Sequence, residues 1–239
     1  AIPRVLRAFW SVSTREGRYI RNFLNAALAI LDLAAASQSN AQCHVGIQAG
    51  YSMANTGLSA PVGPVTFGIE GLGAQSTRPD FGGHLGCDVR VLSSPVKVGI
   101  WGELQNSDTQ FAIQPALLTM TLGNSWAIGG RVGYDMGGAM SYMLLGHKQT
   151  DVEYGGLVAA IPGFANVGLP TKLTGWVWGG GIEAPIKGTA LSIALEARQT
   201  FYREESIALG AANLKTEQVE AMARLNWNFY GNDKSALLK

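Results

Sequence analysis

Three histidines, two cysteines and a thin scatter of charges are the groups from which this 239-residue chain could build chemistry. Nucleophilic hydrolysis needs a hydroxyl or thiol within hydrogen-bond reach of a base, and the base in turn oriented by an acid. The strand pattern described below places His44 at the turn end of its strand and His84 on an interior face. His147 falls near the opposite rim, and Ser141 shares its strand but lies beyond contact range. No His-x-Ser pair and no Ser–His–acid set shares a location, so no catalytic residue is assigned and the chain does not read as an enzyme. Gly71-Leu72-Gly73 and Gly179-Gly180-Gly181 are not phosphate loops, because neither joins a strand to a helix and no Gly-Lys-Ser/Thr follows. No metal or cofactor site is expected. A formal net charge of +1 gives no electrostatic footprint for nucleic acid.

The charges have a pattern of their own. Asp88, Arg90, Lys97, Glu103, Arg131, Glu183, Glu196, Arg198 and Arg224 all fall on one parity of alternating segments. Acids and bases nearly balance, and charges withdrawn from bulk water need partners. These nine are therefore expected to form an Arg–carboxylate network. Its two readings are structural glue and a narrow ion path.

The elements that would position them follow from period two. Val45, Ile47, Ala49 and Tyr51 alternate with His44, Gly46, Gln48 and Gly50. Trp176, Trp178, Ile182 and Ala184 alternate with Val177, Gly179, Gly181 and Glu183. Similar alternation begins near Leu85, Val96, Trp126, Met140, Leu191 and Ala221, least cleanly around Met140–Leu145. Alternation of this kind predicts strands with one apolar face. Connections near 92–95, 135–138 and 185–189 are short, and those near 52–81, 104–118, 149–173 and 202–216 are long. The expected fold is all-β: an eight-stranded up-and-down antiparallel transmembrane β-barrel. Its turns would face the periplasm and its loops the outside.

Which face is apolar separates a membrane barrel from a soluble one. Gly and Ala crowd the charged face, as a narrow lumen requires and a solvated exterior does not. Aromatics fall near strand ends on the apolar face. Tyr51, Trp176 and Phe201 would mark one membrane interface; Tyr134, Tyr142 and Phe229 would mark the other. A soluble ligand-binding barrel of lipocalin type would instead turn Trp176, Trp178, Leu225 and Trp227 inward. Eight strands leave an interior just wide enough for side chains to fill it, so a plugged barrel is the default.

Arg15, Arg18 and Arg21 precede an apolar stretch over 23–36 and small residues before a cut after Ala41, the pattern of a secretory signal peptide. Residues 1–41 are thus expected to be an extension plus signal, 42–230 the barrel and 231–239 a short periplasmic tail. Cys43 begins the first strand low, and Cys87 is placed about midway along the next. At roughly 3.3 Å per residue that offset predicts no disulfide, with Cys87 facing lipid.

Gly82-Gly83-His84-Leu85-Gly86-Cys87-Asp88, Arg131-Val132-Gly133-Tyr134-Asp135 and the run from Gly175 to Glu183 resemble signatures of a known family. With Leu195-Glu196-Ala197-Arg198 they look like the Omp25/Omp31-type porin-family proteins of alphaproteobacteria, of the OmpA-like β-barrel class. The resemblance covers roughly 43–230. It implies an outer-membrane barrel, described as a surface antigen or simple porin, with no catalytic residues to carry over. One departure is that such chains commonly stop at an aromatic, whereas Gly231–Lys239 follow Phe229-Tyr230 here. The function expected is a structural, surface-exposed outer-membrane barrel with loop-borne interactions, and a low-conductance porin is the alternative. Its partners would be outer-membrane lipid, the barrel-assembly machinery and extracellular molecules met by the loops.

Overall fold

The computed structural model describes residues 41–62, 65–69, 78–113, 118–155, 169–207 and 212–229. The expected extension and signal over 1–41, except Ala41, and the expected tail over 231–239 lie outside the described residues, as do parts of the first and third loops. Eight long strands make the wall: β1 (Ala41–Val62), β3 (Arg78–Arg90), β4 (Val96–Asn106), β6 (Leu118–Asp135), β7 (Met140–Gly155), β8 (Lys172–Pro185), β9 (Leu191–Tyr202) and β11 (Ala212–Phe229). Each pairs antiparallel with its neighbour, and β11 closes on β1 through a register running from Cys43↔Phe229 to Ser59↔Asn213. Closure leaves this wall no free edge, the condition under which strands tolerate a bilayer.

Three short strands lie beyond the eight. β2 (Val65–Ile69) folds back on β1, β5 (Thr109–Ile113) pairs β6, and β10 (Glu205–Ile207) pairs β11. Much of what the sequence pattern assigns to long loops is therefore sheet, and the wall extends past the length a membrane needs. A transmembrane strand takes roughly 9–11 residues, and β1 has 22.

The opposite end closes tightly. Asp135 Oδ1 accepts the Gly137 amide at 2.9 Å, and Gly137 takes a φ of 82°, where a Cβ would be strained. Gly188 (φ 78°) does the same between β8 and β9, with Thr189 Oγ1 donating to the Ile186 carbonyl at 2.9 Å.

The wall is inverted relative to a soluble protein. Trp176, Leu195, Ile47, Met143 and Trp227 are each about three-fifths exposed or more, while Glu103, Glu220 and Lys148 are buried. In β7 the parity corrects one expectation. Tyr142 is not an interface aromatic: it is 4% exposed and points inward. Around it Met140, Leu144 and Met143, Leu145 are apolar on both faces, so alternation carried no signal there.

The cysteines give a second correction. Cys43 and Cys87 are directly opposed in the β1–β3 register, with Cα atoms 4.0 Å apart, and they form a disulfide. Cys87 lies three residues from the turn end of β3, as low on the barrel as Cys43, so no offset separates them. Cys87 does stand on the outward face of β3 with Leu85 and Val89, as expected, and Leu85 and Phe229 pack over the pair.

Candidate functional site: the lumen

Inward-facing side chains fill the barrel in tiers. At the turn end Asp135 accepts from Arg90 at 2.9 Å and lies 3.9 Å from Lys97, whose ammonium also donates to Gln42 at 3.1 Å. Asp135 sits at this mouth with part of its carboxyl in solvent. The Gly137 amide, with Lys97 and Arg90 beside it, holds its pKa below the usual carboxylate value.

One step in, Arg131 grips Asp88 with two parallel hydrogen bonds, the Nε–Oδ1 contact being 2.7 Å and Nη2 meeting Oδ2. This is the fork geometry that favours Arg over Lys. Its third nitrogen is 3.5 Å from Glu183, and its guanidinium lies 5.3 Å from the Tyr142 ring centroid. Glu183 Oε1 accepts from Asn226 at 2.9 Å and from Ser192.

The middle tier is a closed set of three acids and three bases. Glu103 accepts from Arg198 at 2.7 Å, Arg224 at 3.0 Å and Gln48 at 3.2 Å. Glu196 accepts from Arg224 and from the Tyr142 hydroxyl, each at 2.8 Å. Glu220 accepts from Arg198 and Lys148, again at 2.8 Å. All six charged side chains are buried and come from four strands: Glu103 from β4, Lys148 from β7, Glu196 and Arg198 from β9, and Glu220 and Arg224 from β11. A buried charge is tolerable only with such partners. Trp101 lies beside this tier, its indole N–H donating to the Gly130 carbonyl at 3.2 Å. Gly146 makes the room: a Cβ there would stand 2.9 Å from the Trp101 ring and 2.6 Å from the Ile128 carbonyl.

Above it hydroxyls take over. Ser52 and Thr109 are 2.6 Å apart, Ser107 and Thr109 2.9 Å, Thr150 and Tyr202 2.7 Å. Highest of all, Ala54, Met120, Leu122, Val152, Leu173, Tyr202 and Leu214 form an apolar collar. A bulge between Leu122 and Ser125 lets β6 serve both layers, because it flips the parity that turns Met120 and Leu122 inward.

The structure thus places all nine charges of the expected network on the inner wall. It adds three that the sequence pattern did not single out. Glu220 was on the right parity, Lys148 lies in the strand with the blurred alternation, and Asp80 falls in what read as a loop. His44 and His84 lie inside with ring centroids 5.8 Å apart; His44 faces Arg131 and His84 faces Asn226. His147 points outward between Trp126 and Trp176, on an open groove that Phe201 and Arg203 also line. No described histidine is hydrogen-bonded to a serine.

On the outside, Tyr51, Trp176 and Phe201 are exposed towards the loop end, joined by Phe81, and Tyr134 and Trp227 towards the turn end. Phe229 packs on the disulfide. Leu191 to Phe201 spans ten steps of a strand. At roughly 3.3 Å each and a tilt near 40° that is about 25 Å, the height of the apolar band of a membrane barrel. Trp178, Trp176, Leu225 and Trp227 all point out, which removes the soluble ligand-binding barrel as a reading. This is an outer-membrane type of barrel.

No family model matches the chain, and no curated protein matches it. Solved structures do resemble it in form. The neisserial surface protein A is 9% identical, with 77% of this chain and 96% of that one covered and a TM-score of 0.40. The outer membrane protease OmpT from Escherichia coli is 7% identical, with coverages of 79% and 97% and a TM-score of 0.43. The N-terminal β-barrel domain of Pseudomonas aeruginosa OprF is 9% identical, with 79% and 98% covered and a TM-score of 0.35. At these values the likeness is one of general form.

Proposed function

We propose that the protein is a structural, surface-exposed barrel of a Gram-negative outer membrane, with a sealed lumen and with its interactions carried by the loop-side extension. The observation that supports this best is the filling of the lumen. Bidentate and shared ion pairs cross the bore in two tiers, and an apolar collar lies above them. Water-filled pores are built by wider barrels. On this reading residues 15–41 act as the export signal, the barrel-assembly machinery inserts the chain, and the nine residues after Tyr230 remain in the periplasm.

A second reading is a low-conductance ion path. It is favoured by three successive groups of ion pairs along the bore, around Asp135, around Arg131, and around Arg198 with Lys148. Heat modifiability on SDS gels tests the membrane barrel: unheated and boiled samples should migrate differently. A soluble fraction with a single band would overturn it. Single-channel recording in planar bilayers then separates the two readings. A sealed lumen gives no unitary steps, with or without Arg131→Gln or Glu183→Gln. Steps whose size changes with either substitution would establish the ion path instead.

A further inference from the structure

Asp80 is the one lumen carboxylate among the described residues whose two oxygens both lack a hydrogen-bond partner. It is 1% exposed, on β3, directly above the middle tier. Its surroundings are hydroxyls. Ser107 and Ser52 are placed to donate to it, but both are also hydrogen-bonded to Thr109, at 2.9 Å and 2.6 Å. Three hydroxyls own three protons, and two of these are used within the trio, so at most one is left for a carboxylate with four acceptor sites. The nearest acting cation, Lys148, spends its three N–H donors on Glu220 at 2.8 Å, Gln218 at 3.3 Å and Gln105 at 3.4 Å.

Charge bookkeeping gives the same result independently. Glu103, Glu196 and Glu220 are matched by Arg198, Arg224 and Lys148, so the middle tier is neutral and has no positive charge to lend. An isolated buried carboxylate is far too costly to persist without compensation. The donor set at hand, one carboxylate and three hydroxyl oxygens, is all hard oxygen, the type that hard cations select. One carboxylate balances one positive charge; a divalent ion would leave an excess beside Lys148. Among the described residues no group of three His, Cys, Asp or Glu is placed for a transition metal.

The apolar collar above draws on β1, β6, β7, β8, β9 and β11, and no described residue of β3, β4 or β5 contributes to it. Asp80, Ser107 and Thr109 come from that side.

We propose that Asp80, Ser52, Ser107 and Thr109 form a binding site for a small monovalent cation, of the sodium class, that locks the upper lumen. The inference stands apart from the question of conduction. Its test is thermal unfolding of the purified, folded barrel, followed by loss of the compact gel band. Sodium chloride is exchanged for choline chloride at constant ionic strength. A hundredfold excess of Na⁺ over its dissociation constant should raise the midpoint by about 5–10 °C and then saturate. Asp80→Asn should abolish the Na⁺ dependence. Should that variant not fold, Ser107→Ala keeps the charge and removes one ligand, and it should move the half-effect to higher Na⁺. Wild type that melts identically in both salts would overturn the site, showing that the carboxyl is compensated by a proton or by water. A Na⁺ shift retained in Asp80→Asn, or an unmoved half-effect in Ser107→Ala, would overturn it equally. Compact-band formation in choline chloride reports the barrel itself, so failure of the fold is distinguishable from failure of the site.

Discussion

Glu103 offers the sharpest perturbation of the lumen. Glu103→Gln removes one of three negative charges from a neutral set of six and leaves Arg198 and Arg224 each short of a partner. Both keep another carboxylate at 2.8 Å, Arg198 in Glu220 and Arg224 in Glu196. Breaking a buried pair from one side costs about 3–5 kcal/mol, and these remaining partners put the cost near the lower end, at about 3 kcal/mol. Arg224→Gln should cost about the same, because Glu103 and Glu196 both retain Arg198, at 2.7 Å and 3.7 Å. The double variant is different in kind. It restores neutrality, two acids against two bases, with Arg198 and Lys148 still on Glu220. It should therefore fall short of the sum of the singles by about 1–3 kcal/mol, the coupling expected inside one network. Urea unfolding of vesicle-embedded barrel, followed by tryptophan fluorescence, measures all four corners of the cycle. Additivity within about 0.5 kcal/mol would refute the reasoning. So would single costs below about 1 kcal/mol, which are the mark of solvated ion pairs in an open lumen.

Other expectations are cheaper to check. The disulfide closes a separation of 44 residues, so loop-closure entropy predicts a loss of about 4 kcal/mol on Cys43→Ser with Cys87→Ser, read as a lower unfolding midpoint that dithiothreitol reproduces in the wild type. Gly146→Ala should destabilise by about 1–3 kcal/mol, because its Cβ meets the Trp101 ring and the Ile128 carbonyl, whereas Gly138→Ala, with nothing within 4 Å, should be neutral in the same assay. Asp135 has a folded pKa below its unfolded one, first because of the Gly137 amide and then Lys97 and Arg90. Its stabilisation is thus present above the unfolded value near 3.8 and is lost as pH falls through the lowered folded one. Acid titration of Asp135→Asn should lack that part of the wild-type loss, and identical acid profiles would count against it.

The fold was legible because a bilayer enforces period two on every strand, and the inner charges inherit that parity. What escaped depends on where one strand meets another. Alternation within β1 and β3 does not set the register between them, and that register is what opposes Cys43 to Cys87. Asp80 was hidden because sheet continues into the first connection. Lys148 and Tyr142 were hidden because β7 is apolar on both faces. The flip of Met120 and Leu122 into the collar depends on a bulge near Gly123-Asn124, and nothing in the local alternation marks where parity changes.

β7 also shows why a barrel in lipid would keep a charged interior at all. A one-residue slip of a strand exchanges its two faces. Where both faces are apolar, as at Met140–Leu145, neither lipid nor core resists that exchange. Resistance must come from groups that lose on both sides. Slipped by one, Lys148 would leave Glu220 and turn outward at the level of Trp176, where the charge itself costs only about 0–1 kcal/mol near the interface and the lost ion pair is the larger penalty. Glu220 would meanwhile lose one of its two cations, and Tyr142 would take its hydroxyl away from Glu196. Each penalty falls on a different strand's partner, so a slip in β7 unsettles β9 and β11 as well. The network then acts less as a source of raw stability than as the device that admits one register, and the strand with the least informative pattern is the one that carries two of its anchors.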